Sequence, residues 1–303
     1  MTYPIPRHDE EHRAINETLG LLRPKLHRYC ARMAGSAIDG EDLMQDVLVK
    51  ALEVLPGKQI DSVENWLFHV AHNITIDFLR RRRRRYDLQS EEDPDMIADS
   101  AASEADPFVA AAGLRTFMYL PAAQRACTIL KDILDYSLQE IADITESSIP
   151  AVKSSLHRGR NRIHELAGAP NESVPRLSEE ELSRLARYVR HFNDRDFDAV
   201  RDMLADDVRL ELVAKTRMAG RRQVSRYFHN YSGVDDWRLA PGLVDGRPAL
   251  LVFDPNDAAV TPSYFVLLEW GKDQIRSIRD FRHAKYVADS AEMIPFGPSG
   301  GSS

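Results

Sequence analysis

The chain has 303 residues, of which 43% are hydrophobic and 29% charged, with a formal net charge of −7. This is an ordinary globular mix, long enough for two or three domains of roughly 100–200 residues, and no apolar run reaches the ~18 residues of a membrane span. Cys30 and Cys127 lie far apart and outside any metal-ligand spacing, which argues against a disulfide scaffold and leaves two thiols expected in a reducing cytoplasm.

The start, MTYPIPRHDEEHRA, lacks a basic stretch followed by an apolar core, so no secretory signal is expected. Along the chain the charge is uneven. Residues 1–85 carry 14 basic and 12 acidic side chains, 86–110 carry none and 8, 111–170 carry 7 and 6, and 171–303 carry 19 and 21. The acidity is concentrated just after six consecutive arginines, Arg80–Arg85, so an acidic total does not argue against nucleic acid as a partner.

Residues 10–85 read as helices. DGEDLMQDVLVKALEVL (39–55) predicts one with Asp39 as N-cap and Glu41 and Asp42 in the first turn, where carboxylates suit the helix dipole. Leu43, Val47, Ala51 and Leu55 recur at core-facing spacing, and Pro56-Gly57 ends the helix. In the next helix, from Val63 into the arginines, Trp66, Val70, Ile74 and Phe78 line one side, and Trp66 is expected in the core. Residues 86–110 have two prolines, only acidic charge and no sustained periodicity, the composition of a flexible linker.

The chain is helical again over 111–170. YSLQEIADITESSIPAVKSSLHRGRNRI (136–163) predicts a helix-turn-helix, with Ser137 capping the first helix and Ser148 the second. In the second, Ile149, Val152, Leu156 and Ile163 share an apolar face, while Lys153, Ser154, His157, Arg158 and Arg160 occupy the others. An apolar back and a donor-rich front suit a DNA-reading helix. Gly159 weakens the helix by about 1 kcal/mol relative to Ala, and close packing is the expected reason for it.

Residues 171–177 form a second linker. Residues 178–290 predict two helices capped at Ser178 and near Asp196, a short helix at 221–230, and strands at 207–213, 236–246, 247–254, 263–270 and 274–284. Helices followed by strands indicate an α+β domain with helices on one face of a curved antiparallel sheet. The tail 291–303 is expected to be disordered.

Three segments in order resemble the extracytoplasmic-function (ECF) group of sigma-70 factors. DGEDLMQDVLVKAL (39–52) is similar to the D-x-x-Q-[DE] helix of region 2. WLFHVAHNITIDFLRRRRRR (66–85) is similar to its W-L-x-x-[IV]-A-x-N-x-x-x-D-x-x-R pattern, and residues 120–163 resemble region 4. The resemblance implies a multidomain chain with two all-α sigma domains: region 2, a helical bundle over 1–85, and region 4, a helix-turn-helix over 111–170. It implies core RNA polymerase and promoter DNA as partners, with contacts to the largest-subunit clamp helices and the flap region, and no membrane. Asp42, Gln45 and Asp46 are then the polymerase-binding face. Asn73, Asp77 and Arg80, Arg81, Arg82, Arg83 and Arg84 meet the −10 element, Asn73 at a base edge and the arginines at phosphates. Lys153, Ser154, His157, Arg158 and Arg160 meet the −35 element, and the acidic linker resembles the segment that threads the polymerase channels.

Residues 178–290 resemble a SnoaL-like α+β cone, on helix order and on FNDRDFDAVRDMLADDVRLEL (192–212) and VDGRPALLVF (244–253). In extended members of the group such a domain is thought to modulate the sigma core in cis, and a small-molecule or protein ligand for it is left open. Relatives of the cone include enzymes that use Asp, His or Tyr, for which Asp206, His229, Tyr231, Asp280 and His283 are the residues of the right type; their spacing specifies no chemistry. The expected function is a cytoplasmic transcription initiation factor with no catalytic residues, cofactor or metal. Two alternatives stand beside it: a helix-turn-helix regulator with a ligand-sensing cone, and a SnoaL-like enzyme fused to a DNA-binding arm.

Overall fold

The computed structural model describes residues 7–58, 60–86, 104–166, 177–229, 237–257 and 261–296. Two compact units divide the chain, Met1–Asn171 and Glu172–Ser303.

The first unit is all helical among the described residues. Helix α1 (Arg7–Ala34) crosses α2 (Ala37–Val54) closely, because Gly40 presents no side chain: a Cβ there would lie 2.5 Å from the Ala31 Cα. Ser36, not Asp39, caps α2, its hydroxyl accepting from the Asp39 amide, and the helix starts two residues before the expected cap. The expected stripe Leu43, Val47, Ala51 and Leu55 is buried. Helix α3 (Val63–Tyr86) differs from its expected orientation. Leu67, Phe68, Ala71 and Thr75 are buried, whereas Trp66, Val70, Ile74 and Phe78 are half-buried. Two apolar rows lie side by side on this helix, and packing against α1 and α2 selects the row with the smaller Ala71 and Thr75.

The acidic linker was expected to run to residue 110, and its last part is ordered. Asp106 caps a single turn, α4 (Pro107–Ala110), and the Asp106 amide donates to the buried Asp132 carboxylate at 2.9 Å. Residues 87–103, most of the linker, lie outside the described residues, as do 171–176 of the second linker. After a 3-10 turn (Thr116–Tyr119) comes α5 (Ala122–Thr128), which widens into a π turn at Ile129–Ile133. Helices α6 (Leu138–Ile144) and α7 (Ile149–Leu166) form the helix-turn-helix. Ser137 and Glu140 make a capping box on α6, and the Ser148 hydroxyl accepts from the Ala151 amide at the start of α7. Glu146, in the turn, holds a left-handed φ of 51°.

In the second unit, α8 (Glu179–Asn193) is capped by Ser178 and α9 (Phe197–Asp202) by Asp196. Strands β1 (Leu204–Leu212), β2 (Thr216–Ala219), β3 (Arg238–Val244), β4 (Arg247–Phe253), β5 (Tyr264–Trp270), β6 (Ile275–Asp280) and β7 (Met293–Pro295) form one sheet in the order β2-β1-β6-β5-β4-β3-β7, with α10 (Arg221–His229) between β2 and β3. The sheet is mixed rather than wholly antiparallel: β1 runs parallel to β6. A fully antiparallel expectation follows from reading each strand as the hairpin partner of the next, and β1 instead joins the sheet beside a strand more than sixty residues later. The edge strands β2 and β7 are short, and β7 corrects the expectation of disorder for the tail at Met293–Pro295; residues 297–303 lie outside the described residues. Asp245 and Gly246, both at positive φ, close the β3–β4 hairpin.

Tyr188 and Phe192 of α8 and Val224 and Phe228 of α10 pack on Val208, Leu210, Leu250, Val252 and Ile278 of the sheet. On the other face Phe265 and Phe281 stack at 4.2 Å, and Leu251 is buried. Cover on both faces explains the unbroken apolar run of β4.

Candidate nucleic-acid interface

On α2, Asp42 and Asp46 are exposed and Gln45 is half-buried. Glu41 below them is buried, 3.9 Å from Arg23, and accepts from the Gln45 amide at 3.0 Å. An anionic face therefore stands on a neutralised carboxylate, and Val49 and Leu52, both exposed, continue it for one more turn. An acidic row with exposed aliphatic residues suits a basic, partly apolar protein surface.

On α3, Asn73, Asp77 and Arg80 to Arg84 are all exposed. Asp77 restrains the first arginines, with Arg80 at 3.5 Å from its carboxylate and the Arg81 Nε donating to its carbonyl at 3.3 Å. Arg82 turns back toward the bundle, donating to the Ala34 carbonyl at 3.3 Å and lying 3.9 Å from Asp39. Asn73 pairs with the His69 Nε2 at 3.1 Å. His72 is half-buried: its Nδ1 meets the Tyr29 hydroxyl at 2.9 Å, and burial lowers its pKa to about 4.

On α7, Lys153 is exposed and His157 and Arg158 are half-buried, with the His157 Nε2 3.1 Å from the Asn161 amide. Two residues expected at this surface point elsewhere. Ser154 is buried, and Arg160 forms a two-pronged pair with the buried Asp132 at 2.5 and 3.1 Å, while also donating to the Glu104 carbonyl. Both α5 and α6 pack against α7, so its buried arc is wider than the single apolar row Val152–Leu156–Ile163 suggests. Gly159 lies in that arc, where a Cβ would overlap the Thr128 hydroxyl and approach Leu120 to 3.2 Å.

In the second unit, Asp280 is buried, accepts from the Arg282 amide at 2.8 Å, and takes a short hydrogen bond from the Tyr227 hydroxyl. Burial and the Asp280 carboxylate hold the Tyr188 phenol well above its ordinary range, and that of Tyr264 likewise. Asp206 is exposed and pairs with Arg221 at 3.7 Å, and His283 is exposed, 3.4 Å from the Lys215 ammonium. The side chain of His229 and the whole of Tyr231 lie outside the described residues. The structure thus leaves Asp206 and His283 exposed and buries Asp280, which the Tyr227 hydroxyl meets directly. That tyrosine carries no sequence signal beyond its place on the inward side of α10. Among the described residues no cluster of His, Cys, Asp or Glu could hold a metal ion, and no helix is long and apolar enough to cross a membrane.

Comparison with known proteins covers both units. Family profiles for Sigma-70 region 2 and Sigma-70, region 4 match residues 20–85 and 114–163. The chain is 28% identical over 299 residues to the ECF RNA polymerase sigma factor SigG of Mycobacterium tuberculosis, covering 86% of this chain and 78% of that one. To SigM of the same organism it is 30% identical over 151 residues, which is 50% of this chain and 75% of that protein. The crystal structure of the M. tuberculosis extracytoplasmic function sigma factor SigJ aligns over 88% of this chain and 95% of its own, at 18% identity and a TM-score of 0.35.

Proposed function

The chain belongs to the ECF RNA polymerase sigma factors, and we propose the following division of labour among its surfaces. The Asp42, Gln45 and Asp46 face of α2 docks on the clamp helices of the polymerase largest subunit. Helix α3 opens the −10 element, with Asn73 at an extruded base and exposed arginines on the phosphates of the single strand. Helix α7 reads the −35 duplex through Lys153, His157 and Arg158, whereas Arg160 and Ser154 act inside the domain. The protein works in the cytoplasm without catalysis of its own, and the second unit modulates the sigma core in cis.

The observation that carries this reading is the conjunction, in one chain, of an exposed anionic helix face, an exposed arginine run on the next helix, and a capped helix-turn-helix. A regulator that merely bound duplex DNA would use only the third. Core polymerase is the discriminating partner. The full-length protein should bind core and direct transcription from a defined start site, and Asp42→Lys with Asp46→Lys should weaken core binding at least tenfold, about 1.4 kcal/mol. A wild-type protein that failed to bind core while binding duplex DNA would overturn the assignment.

A further inference from the structure

The segment 104–110 lies outside both family profiles, which end at residue 85 and begin again at residue 114, yet it is folded onto the helix-turn-helix. The Glu104 carbonyl accepts from Arg160, and the Asp106 amide donates to Asp132 at 2.9 Å. One oxygen of the Asp106 carboxylate accepts from the Phe108 amide at 2.9 Å and the Val109 amide at 3.4 Å. The other meets the His164 Nε2 of α7 at 2.8 Å. Burial pushes the Asp106 pKa up, but the hydrogen bonds from His164 and from the Val109 and Phe108 amides outweigh it and hold the carboxyl below its ordinary range. The Phe108 ring lies flat on the His164 ring, with centroids 4.5 Å and planes 14° apart, and Val109 is buried where α4 packs on the π turn and α7. Phe108 and His164 are themselves exposed, so their stack fills no core. What it fixes is the point at which the linker meets the domain.

That point governs how far apart the two DNA-contacting helices can stand. Elements centred near −10 and −35 lie about 25 base pairs apart, or about 85 Å at roughly 3.4 Å per base pair. Held at Glu104, the chain after Tyr86 reaches about 60 Å when fully extended. Helix α3 from Asn73 to Tyr86 adds about 20 Å, and α7 from Lys153 to Arg160 about 10 Å, at 1.5 Å per residue. The span is then about 90 Å at most, barely more than the elements require. Released as far as the buried Phe117, the chain after Tyr86 reaches about 105 Å instead, and the tether is slack. Each base pair added between the elements moves the −35 site by about 3.4 Å and turns it by about 35°. A taut tether resists both displacements, and a slack one neither.

We propose that Asp106, Phe108 and His164 form an anchor that sets the working length of the linker and so makes the protein selective for the spacing between the −10 and −35 elements. They are positioning residues, acting through the chain and not on DNA. The anchor rests on the assignment of α3 and α7 to the two elements. Its test is in vitro transcription by the full chain with core polymerase, on one promoter whose spacer is shortened or lengthened one base pair at a time. The wild type should show a narrow optimum that falls steeply on the long side. Phe108→Ala combined with His164→Ala should keep activity at the optimum. On a spacer two base pairs longer it should raise activity about 5-fold relative to that optimum, the change expected from losing a stacked pair and a hydrogen bond to a carboxylate. Asp106→Ala, which also removes the α4 cap, should broaden the profile further. Phe108→Tyr, which keeps the stack, should keep the narrow profile. Arg160 is left intact because it also holds the buried Asp132. Circular dichroism reports folding, and faster hydrogen exchange at the Phe108 and Val109 amides reports release. His164→Ala alone, at an exposed position, carries the same comparison should the double variant not fold. A folded variant with the wild-type spacing profile would overturn the anchor, as would a wild type indifferent to spacing. A wild type that transcribes from no spacer would instead overturn the sigma assignment beneath it.

Discussion

Arg160 shows how a single side chain can belong to a DNA-reading helix and not to its reading face. Its guanidinium holds both oxygens of Asp132, whose side chain has no exposed surface, and it also fastens the Glu104 carbonyl of the linker's end. Removing it would leave a buried carboxylate without its counter-ion, a loss of about 3–5 kcal/mol. Arg160→Ala is therefore expected to lower the thermal stability of the first unit and to reduce transcription from all promoters alike. Arg158→Ala should relax base preference at one −35 position by about 1–3 kcal/mol. Melting curves beside a promoter-variant panel separate the two. A specific loss of base preference in Arg160→Ala at full stability would contradict this assignment. Nothing in the spacing of α7 distinguishes the two arginines, because Asp132 is 28 residues away in sequence and enters the site only through the fold.

At the scale of the element, six arginines on a helix of 3.6 residues per turn spread around its whole circumference, so the run cannot act as one surface. Arg82 already turns toward Ala34 and Asp39, while Arg80, Arg81, Arg83 and Arg84 face solvent. Changing Arg80, Arg81 and Arg84 to Gln should weaken holoenzyme binding across promoters and flatten its salt dependence by about 0.7 in log–log slope per lost single-strand phosphate contact. Arg82→Gln should change the slope least. Binding isotherms at several salt concentrations give these slopes, and an unchanged slope in the triple variant would remove the run from the phosphate contacts. The helix itself was legible from its period, but its buried side was not. The Trp66 row and the Leu67–Phe68 row are both apolar, and only contact with α1 and α2 selects between them. The unexpected edge strands have a similar cause: β2 and β7 have four and three residues, too few for an alternating pattern to register.

For the whole molecule, two compact units joined near residue 171 allow a direct measurement of what the second one does. A protein ending at Asn171 retains both regions that match the sigma-70 profiles. Promoter-specific transcription by that truncation should differ from the full chain by severalfold at equal core occupancy; identical activity would leave the second unit without a role in cis. Sequence periodicity and charge were enough to determine the long helices, the helix-turn-helix with its Ser137 cap, the succession from helical to α+β architecture and the family motifs, because these depend on neighbours within a few residues. The pairing of Tyr136 with Glu64, of Arg160 with Asp132, of Tyr227 with Asp280, and of β1 with β6 depends on residues 28 to 72 apart in the chain. Only the tertiary structure decides those, since burial and charge compensation belong to the packed assembly of elements and not to any one stretch of sequence.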